Sequence, residues 1–438
     1  MRRSSTLRLS LLASVALALT APAYSQATDP VPDLELVPSR QMPKVPQKEE
    51  IPATLRWMLH PLKRGMMLSL PVVDTDPNRG VTYGVMPIWV IREDNGDRIE
   101  QIHAPSLTYN PDFGLTPTYR YYYYPQTDAA LVLRGAVAKF EHEVLAQYDD
   151  KTFKDTSLDL SLRAQWNRDA GQRYFGRGKN SPKSHETNYT EDYIQYLASV
   201  GAPIMPQSHW HAHVSDWCTA DKISDGPLPG LPAFSVTFPK SSQAASGREV
   251  IHVDRLTLDY DTRDESLTTT RGAYLQAFDE FSAKTLGSEE EFSRYGIDAR
   301  YFLPWNAERT NVTAAQVRYE QLLGNAPFWL ESRLGGKYAL RAYGDGRYTD
   351  RGMLVGNVEQ RFTFYKAKMA NVWTEFEFDP FAGLGTVFDH PQAMAGRYAR
   401  PVVGAAVRAV ARPQVVGSVD VGVGQEGVAV FMDINYSF

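Results

Sequence analysis

His209, His211 and His213 alternate with Trp210, Ala212 and Val214, which sets three imidazoles on one face of a strand. Imidazoles gathered in this way can hold a metal ion or pass a proton. Along one strand, however, neighbouring histidines on a face stand ~7 Å apart from Cα to Cα, too far for all three to close comfortably on a single ion. The trio therefore reads as polar lining of an interior, and no metal or other cofactor is expected. Ser208 precedes His209, but adjacent strand residues point to opposite faces and cannot serve as nucleophile and base. Catalysis finds little support, and the chain does not read as an enzyme. Tyr121, Tyr122, Tyr123 and Tyr124 beside Arg120 could stack on a sugar or lipid head group. Their place at a strand end reads more simply as half interfacial girdle and half interior lining.

Such side chains need a scaffold, and the last twelve residues define one. Val428, Val430, Met432, Ile434, Tyr436 and Phe438 share one face, while Ala429, Asp433, Asn435 and Ser437 share the other, with Phe431 the misfit. A strand with one apolar face that ends on an aromatic is the closing pattern of an outer-membrane β-barrel. From Val81 onward, alternating stretches separated by turn residues predict strands at 81–91, 99–110, 114–125, 128–148, 154–167, 187–203, 208–223 and 248–264. They continue at 271–282, 292–305, 309–324, 351–365, 374–389, 400–412, 414–423 and 427–438. Sixteen is an even count, as a closed antiparallel barrel with both ends on one side requires. Faces sort accordingly. Tyr295, Ile297, Tyr301 and Leu303 alternate with Arg294, Asp298 and Arg300. Charge belongs inside, because an arginine on the lipid face at mid-bilayer costs ~2–4 kcal/mol. The longest connections, 168–186, 224–247 and 325–350, fall on alternate turns and take the extracellular side. Short ones such as 111–113 and 204–207 take the periplasmic side.

Composition agrees with export. Arg2, Arg3 and Arg8 precede an apolar run from Leu9 to Leu19 and then Ala23-Tyr24-Ser25, a secretory signal over residues 1–25. The run is shorter than the ~20 apolar residues of a spanning helix. Removing three arginines takes the net charge from −5 to −5 − 3 = −8, which gives no reason to expect nucleic acid as a partner. The single cysteine, Cys218, allows no internal disulfide, in keeping with a Gram-negative envelope protein. Aromatics make up 12% of residues, with 24 tyrosines, enough to furnish interfacial girdles. Residues 26–80 carry Pro30, Pro32, Pro38, Pro43, Pro46 and Pro52 and read as a periplasmic tether with a short amphipathic helix near 53–59, ahead of a barrel over 81–438.

Several segments resemble one family. Leu340-Arg341-Ala342-Tyr343, after Gly335-Gly336, resembles the Val/Leu-Arg-Gly-Phe/Tyr motif on the sixth extracellular loop of the BamA/TamA/FhaC superfamily, the bacterial surface antigen barrels. Glu359-Gln360-Arg361-Phe362 is similar to its Glu-Tyr-Arg-Phe. Asp261-Thr262-Arg263-Asp264 with Arg271-Gly272 resembles its Asp-x-Arg-Asp…Arg-Gly turn, and Tyr174–Asn180 its Phe-Phe-Gly-x-Gly-Asn segment. The resemblance implies an all-β, sixteen-stranded transmembrane barrel whose sixth extracellular loop folds inward. It also implies a role in outer-membrane biogenesis: protein insertion or translocation, or lipid handling, at a labile seam between first and last strands. Gly417, Gly422, Gly424 and Gly427 fit such a seam, or plain curvature.

Two departures stand out. Ala342 replaces the motif glycine, so a turn with positive φ there would be strained. Gly383, in Phe381-Ala382-Gly383-Leu384-Gly385, stands where the family carries the acid that pairs with the loop arginine. Glu377 and Asp379 share its face, and Glu359 lies one strand away, so Arg341 is expected to find one of these three inside the lumen. Residues 26–80 are also too few for one POTRA unit. The partners implied are outer-membrane lipids and lipopolysaccharide, unfolded outer-membrane protein or lipid clients, and a periplasmic partner or self-association in place of POTRA recognition. A passive pore and a structural surface antigen are the rival readings.

Overall fold

In the computed structural model, residues 59–438 are described apart from 95–98, 127, 245–246, 370–371, 395, 412–413 and 434–435. The signal, the proline-rich run and most of the short helix lie outside these residues. Leu59–Leu62 (β1) makes a stub hairpin with Gly65–Asp76 (β2). The chain then runs back and forth through Gly80–Arg92 (β3), Ile99–His103 (β4), Ser106–Asn110 (β5), Gly114–Gln126 (β6), Ala129–Val137 (β7), His142–Asp150 (β8), Asp159–Tyr174 (β9) and Thr187–Pro203 (β10). Trp210–Asp225 (β11), Arg248–Asp261 (β12), Gly272–Ser282 (β13), Phe292–Pro304 (β14) and Asn311–Gly324 (β15) follow. A loop holding the small hairpin Ser332–Leu334 (β16) and Tyr348–Asp350 (β17) leads to Gly352–Met369 (β18), Val372–Phe388 (β19), Arg400–Ala411 (β20), Gln414–Gly424 (β21) and Gly427–Asp433 (β22).

Every ladder between neighbours is antiparallel, and together they make a twenty-stranded sheet. Both β4 and β5 pair with β3 and β6, so they are halves of one stave, broken at Ala104-Pro105 where proline withholds a ladder N–H. With β4 and β5 taken as one and the four-residue β1 set aside, the described residues form eighteen staves rather than the sixteen expected. Two features account for the difference. Residues 65–76, assigned to the tether, are a full stave paired with β3 from Gly65 to Asp76. Pro71 argues against a central strand, but β2 borders the sheet's free edge, where a missing donor is tolerated. Residues 128–148 are a hairpin, β7 and β8, whose turn has neither glycine nor proline. It closes through Ala138 N–H donating to Glu141 O at 2.7 Å. One consequence is that the turn 111–113 lies at the end of the long loops, where Phe113 packs with Ala170 and Leu228.

The faces are inverted relative to a water-soluble sheet. Val85, Tyr119, Val144, Ile194, Val214, Leu256, Ile297, Val317 and Val403 are exposed, whereas Arg120, Arg134, Glu143, Arg255, Glu280, Arg294, Arg361 and Arg408 are buried. No helix among the described residues is long and apolar enough to cross a membrane, and this inverted sheet is the alternative way to do so.

The sheet curls until β22 lies beside β2, with Cα atoms within 8 Å. Among the described residues no ladder joins the two. Among the described residues β22 runs from Gly427 to Asp433. Val428 points outward and Phe431 inward. Residues 436–438 form no strand, and Tyr436 is buried, against the expectation that it and Phe438 would continue the lipid face. Ile434 lies outside the described residues.

Candidate functional site: a buried loop across the seam

The loop between β15 and β18 is held by packing at its base and by charge at its tip. Phe328 and Trp329 pack with Tyr174, Tyr189 and Phe234. The Gly335-Gly336 pair then lets the chain double back. Gly335 has φ +135°, and a Cβ there would lie 2.1 Å from Gly344 O. Gly336 N–H donates to Tyr343 O at 2.9 Å, closing the 336–343 turn that presents Arg341. Ala342 does not have positive φ: among the described residues only Lys154, Gln207 and Arg309 do so without being glycine. The strain expected at Ala342 is therefore absent.

Arg341 is 2% exposed. Its Nη1 donates to Glu359 Oε2 at 2.7 Å and to Asp420 Oδ2 at 2.9 Å, and its guanidinium lies 3.5 Å over the Phe381 ring. Nη2 is buried with no hydrogen-bond partner, so the ring face is what it meets. Of the three carboxylates named from the sequence, only Glu359 touches Arg341. Asp379 is bonded to Arg408, and Glu377 accepts from Tyr436 Oη at 2.6 Å. Glu359 also receives Arg361 Nε at 2.9 Å and Arg408 Nη1 at 2.9 Å, and Asp420 receives Arg408 Nη2 at 3.1 Å. The Tyr436 ring lies 3.6 Å from the Arg361 guanidinium carbon and 4.9 Å from that of Arg408. Three guanidiniums thus share three carboxylates, Glu359, Asp379 and Asp420, from β18, β19 and β21, and the tyrosine between two of the guanidiniums bonds a fourth, Glu377. Removing one member of so buried a network costs ~3–5 kcal/mol, although the whole set adds little over apolar packing. What it supplies is one seat for the loop.

Sequence reasoning missed Asp420 and Arg408. A signal existed for Asp420: it is the one acid in the Val-Gly run of β21, and a lone charge on such a strand must face inward. Glycines form the bed. A Cβ at Gly422 would lie 1.7 Å from Arg341 O, one at Gly424 2.9 Å from Ala342 Cβ, and one at Gly383 3.4 Å from Leu340 Cδ1. Gly422 and Gly424, read earlier as seam or curvature residues, make room for the loop backbone. Gly383 gives up the acid that the family pattern puts there, and Asp420 bonds Arg341 from β21.

The same loop touches both sides of the seam. Asn78, in the β2–β3 turn, donates Nδ2 to Asp345 O at 2.9 Å. On the other side, Arg347 Nε donates to Glu426 Oε2 at 2.8 Å and Tyr348 Oη to Glu426 Oε1 at 3.2 Å, in the β21–β22 turn.

Elsewhere, Tyr121 packs tilted against His103 with ring centroids 4.9 Å apart, and Tyr124 turns inward against Ile99 and Ala130. Ser208 Oγ accepts from Trp210 N–H and engages no base. His209 sits in the turn before β11, edge-on to Tyr260, while His211 and His213 lie on β11 with rings stacked at 6.4 Å.

No curated protein sequence matches the chain. Among solved structures, BamA from Haemophilus ducreyi lacking POTRA domains 1–3 superposes with a TM-score of 0.54 at 14% identity, over 83% of this chain and 74% of that one. CdiB from Escherichia coli superposes with a TM-score of 0.53 at 10% identity, over 84% of this chain and 67% of that one. Identity this low speaks for the fold alone. The sequence pattern of the Omp85 superfamily domain, by contrast, matches residues 129–423, which carry the loop, Gly383 and Gly422 of its bed and every charged member of the network. On that match, over more than half its length, the chain belongs to the Omp85 superfamily and is a β-barrel protein of the Gram-negative outer membrane.

Proposed function

We propose that this barrel inserts or translocates client proteins through the seam between β2 and β22, with the inward-folded 325–351 loop as the strap that holds the seam shut. The observation that carries this reading is the contrast at the seam. Among the described residues β2 and β22 run side by side without a ladder, while every other neighbouring pair is zipped. Unpaired backbone groups facing lipid cost several kcal/mol each, and two free strand edges are a template for an incoming strand. Contacts from the loop to Asn78 on one side and to Asp420 and Glu426 on the other mean that spreading the edges must break one set. A passive pore has no need of a loop buried on a charge network, which supports gating over steady conduction.

The test uses a Cys218→Ser background with one new cysteine on β2 and one on β22, reconstituted in phosphatidylcholine vesicles. A urea-unfolded eight-stranded outer-membrane barrel serves as the client, and its folding is read by heat-modifiable mobility. Oxidation should abolish the acceleration of folding, and reduction should restore it. A cross-linked barrel that accelerates folding as well as the open one refutes the seam.

A further inference from the structure

Near the short-turn end of the interior, Asp159, His211 and His213 place a carboxylate oxygen and two ring nitrogens all within 4.8 Å of one another. The register explains the meeting. Asp159 on β9 pairs with Gly201 on β10, and Gly201 pairs with His213 on β11, so one row crosses three staves with no side chain in the middle. Gly201 is not there for its backbone angles. A Cβ at that position would lie 2.0 Å from His213 Nδ1, so this nitrogen occupies the space a side chain would take and leans toward Asp159. The other ring nitrogen is fixed: His213 Nε2 is 2.9 Å from Asp259 Oδ2 on β12. A carboxylate holding one nitrogen and leaving the other aimed into a cluster is the outer-shell arrangement of metal-bound histidine. Asp159 itself makes no side-chain hydrogen bond or ion pair among the described residues.

We infer that Asp159, His211 and His213 form a binding site for one divalent transition-metal ion of the zinc class, oriented by Asp259 and made accessible by Gly201. Two imidazoles and one carboxylate suit zinc over calcium or magnesium, which prefer all-oxygen cages. Ligands at ~2.0–2.2 Å from a tetrahedral ion stand ~3.3 Å apart, so the three groups need draw in by at most about 1.5 Å. Water takes the fourth position. The ion would tie β9 to β11 across β10, bracing the wall at the end remote from the long loops. Considering the histidines along β11 alone hid this site, because its third ligand comes from another stave.

The purified barrel in detergent, stripped with EDTA and checked for folding by heat-modifiable mobility, is titrated with zinc chloride by calorimetry and thermal melting. One equivalent should bind and raise the melting temperature. Asp159→Asn and His213→Ala should each weaken binding at least tenfold, and Gly201→Ala should do so with every ligand retained. His209→Ala should bind as the parent does. The inference is overturned if the parent takes up no stoichiometric zinc, if Asp159→Asn binds as tightly as the parent, or if His209→Ala loses binding equally.

Discussion

Replacing Arg341 by alanine tests whether the charge network seats the loop. The substitution removes two charge-assisted hydrogen bonds, at 2.7 and 2.9 Å, and the stack on Phe381. Hydrogen bonds to charged groups contribute ~1.5–3 kcal/mol each, and a desolvated cation–π contact about 2. Part of that sum is offset because the buried guanidinium no longer has to be stripped of water. Neither carboxylate is orphaned, since Glu359 keeps Arg361 and Arg408 and Asp420 keeps Arg408. A net loss of about 3–5 kcal/mol remains. At ~1.4 kcal/mol per decade, the docking equilibrium of the loop shifts by about two to four orders of magnitude. Limited proteolysis of residues 325–351 in folded, detergent-held barrel reads that population directly, provided that cleavage is slow relative to reclosing. Glu359→Gln should expose the loop at least as much, because three arginines lose their shared partner. Glu377→Gln should change cleavage by less than tenfold, because Glu377 serves Tyr436 and not Arg341. If Arg341→Ala is cut within about threefold of the parent rate, or if Glu377→Gln matches Glu359→Gln, the network does not hold the loop.

Gly422→Ala alters no charge but places a methyl where Arg341 O now sits, so it should expose the loop to protease as Arg341→Ala does. Tyr436→Phe keeps the ring over Arg361 and deletes the donor to Glu377, a loss of about 1–3 kcal/mol that a shift in urea midpoint should report. Burial pushes the Glu331 carboxyl up to about 7 even with Arg177 beside it. The folded loop therefore binds a proton that the unfolded loop has lost. Docking of the loop base is strongest at acid pH and weakens as pH rises through 7. Protease protection measured from pH 5 to 8 should fall accordingly, and Glu331→Gln should flatten the profile.

The alternation of Arg294, Asp298 and Arg300 with Tyr295, Ile297 and Tyr301 was legible because lipid outside and ions inside leave no other arrangement. The two staves that escaped notice lacked the usual punctuation, or carried too much of it. The β7–β8 turn has no glycine or proline, and β2 contains Pro71. Arg341 and Glu359 were legible through family motifs, and Asp420 in principle through its isolation among valines. Tyr436 was not, because its parity predicts the lipid face only if it lies on a strand, and residues 436–438 do not. The Asp159–Gly201–His213 row depends on the register of three strands, which no local pattern encodes.

On the proposed seam mechanism, one loop grips the wall on both flanks, so that events at the cell surface and events at the lipid boundary become thermodynamically linked. An antibody fragment that captures residues 344–348 in a displaced position would favour spread edges. By reciprocity, a client wedged between those edges would offer the same epitope to the antibody with higher affinity.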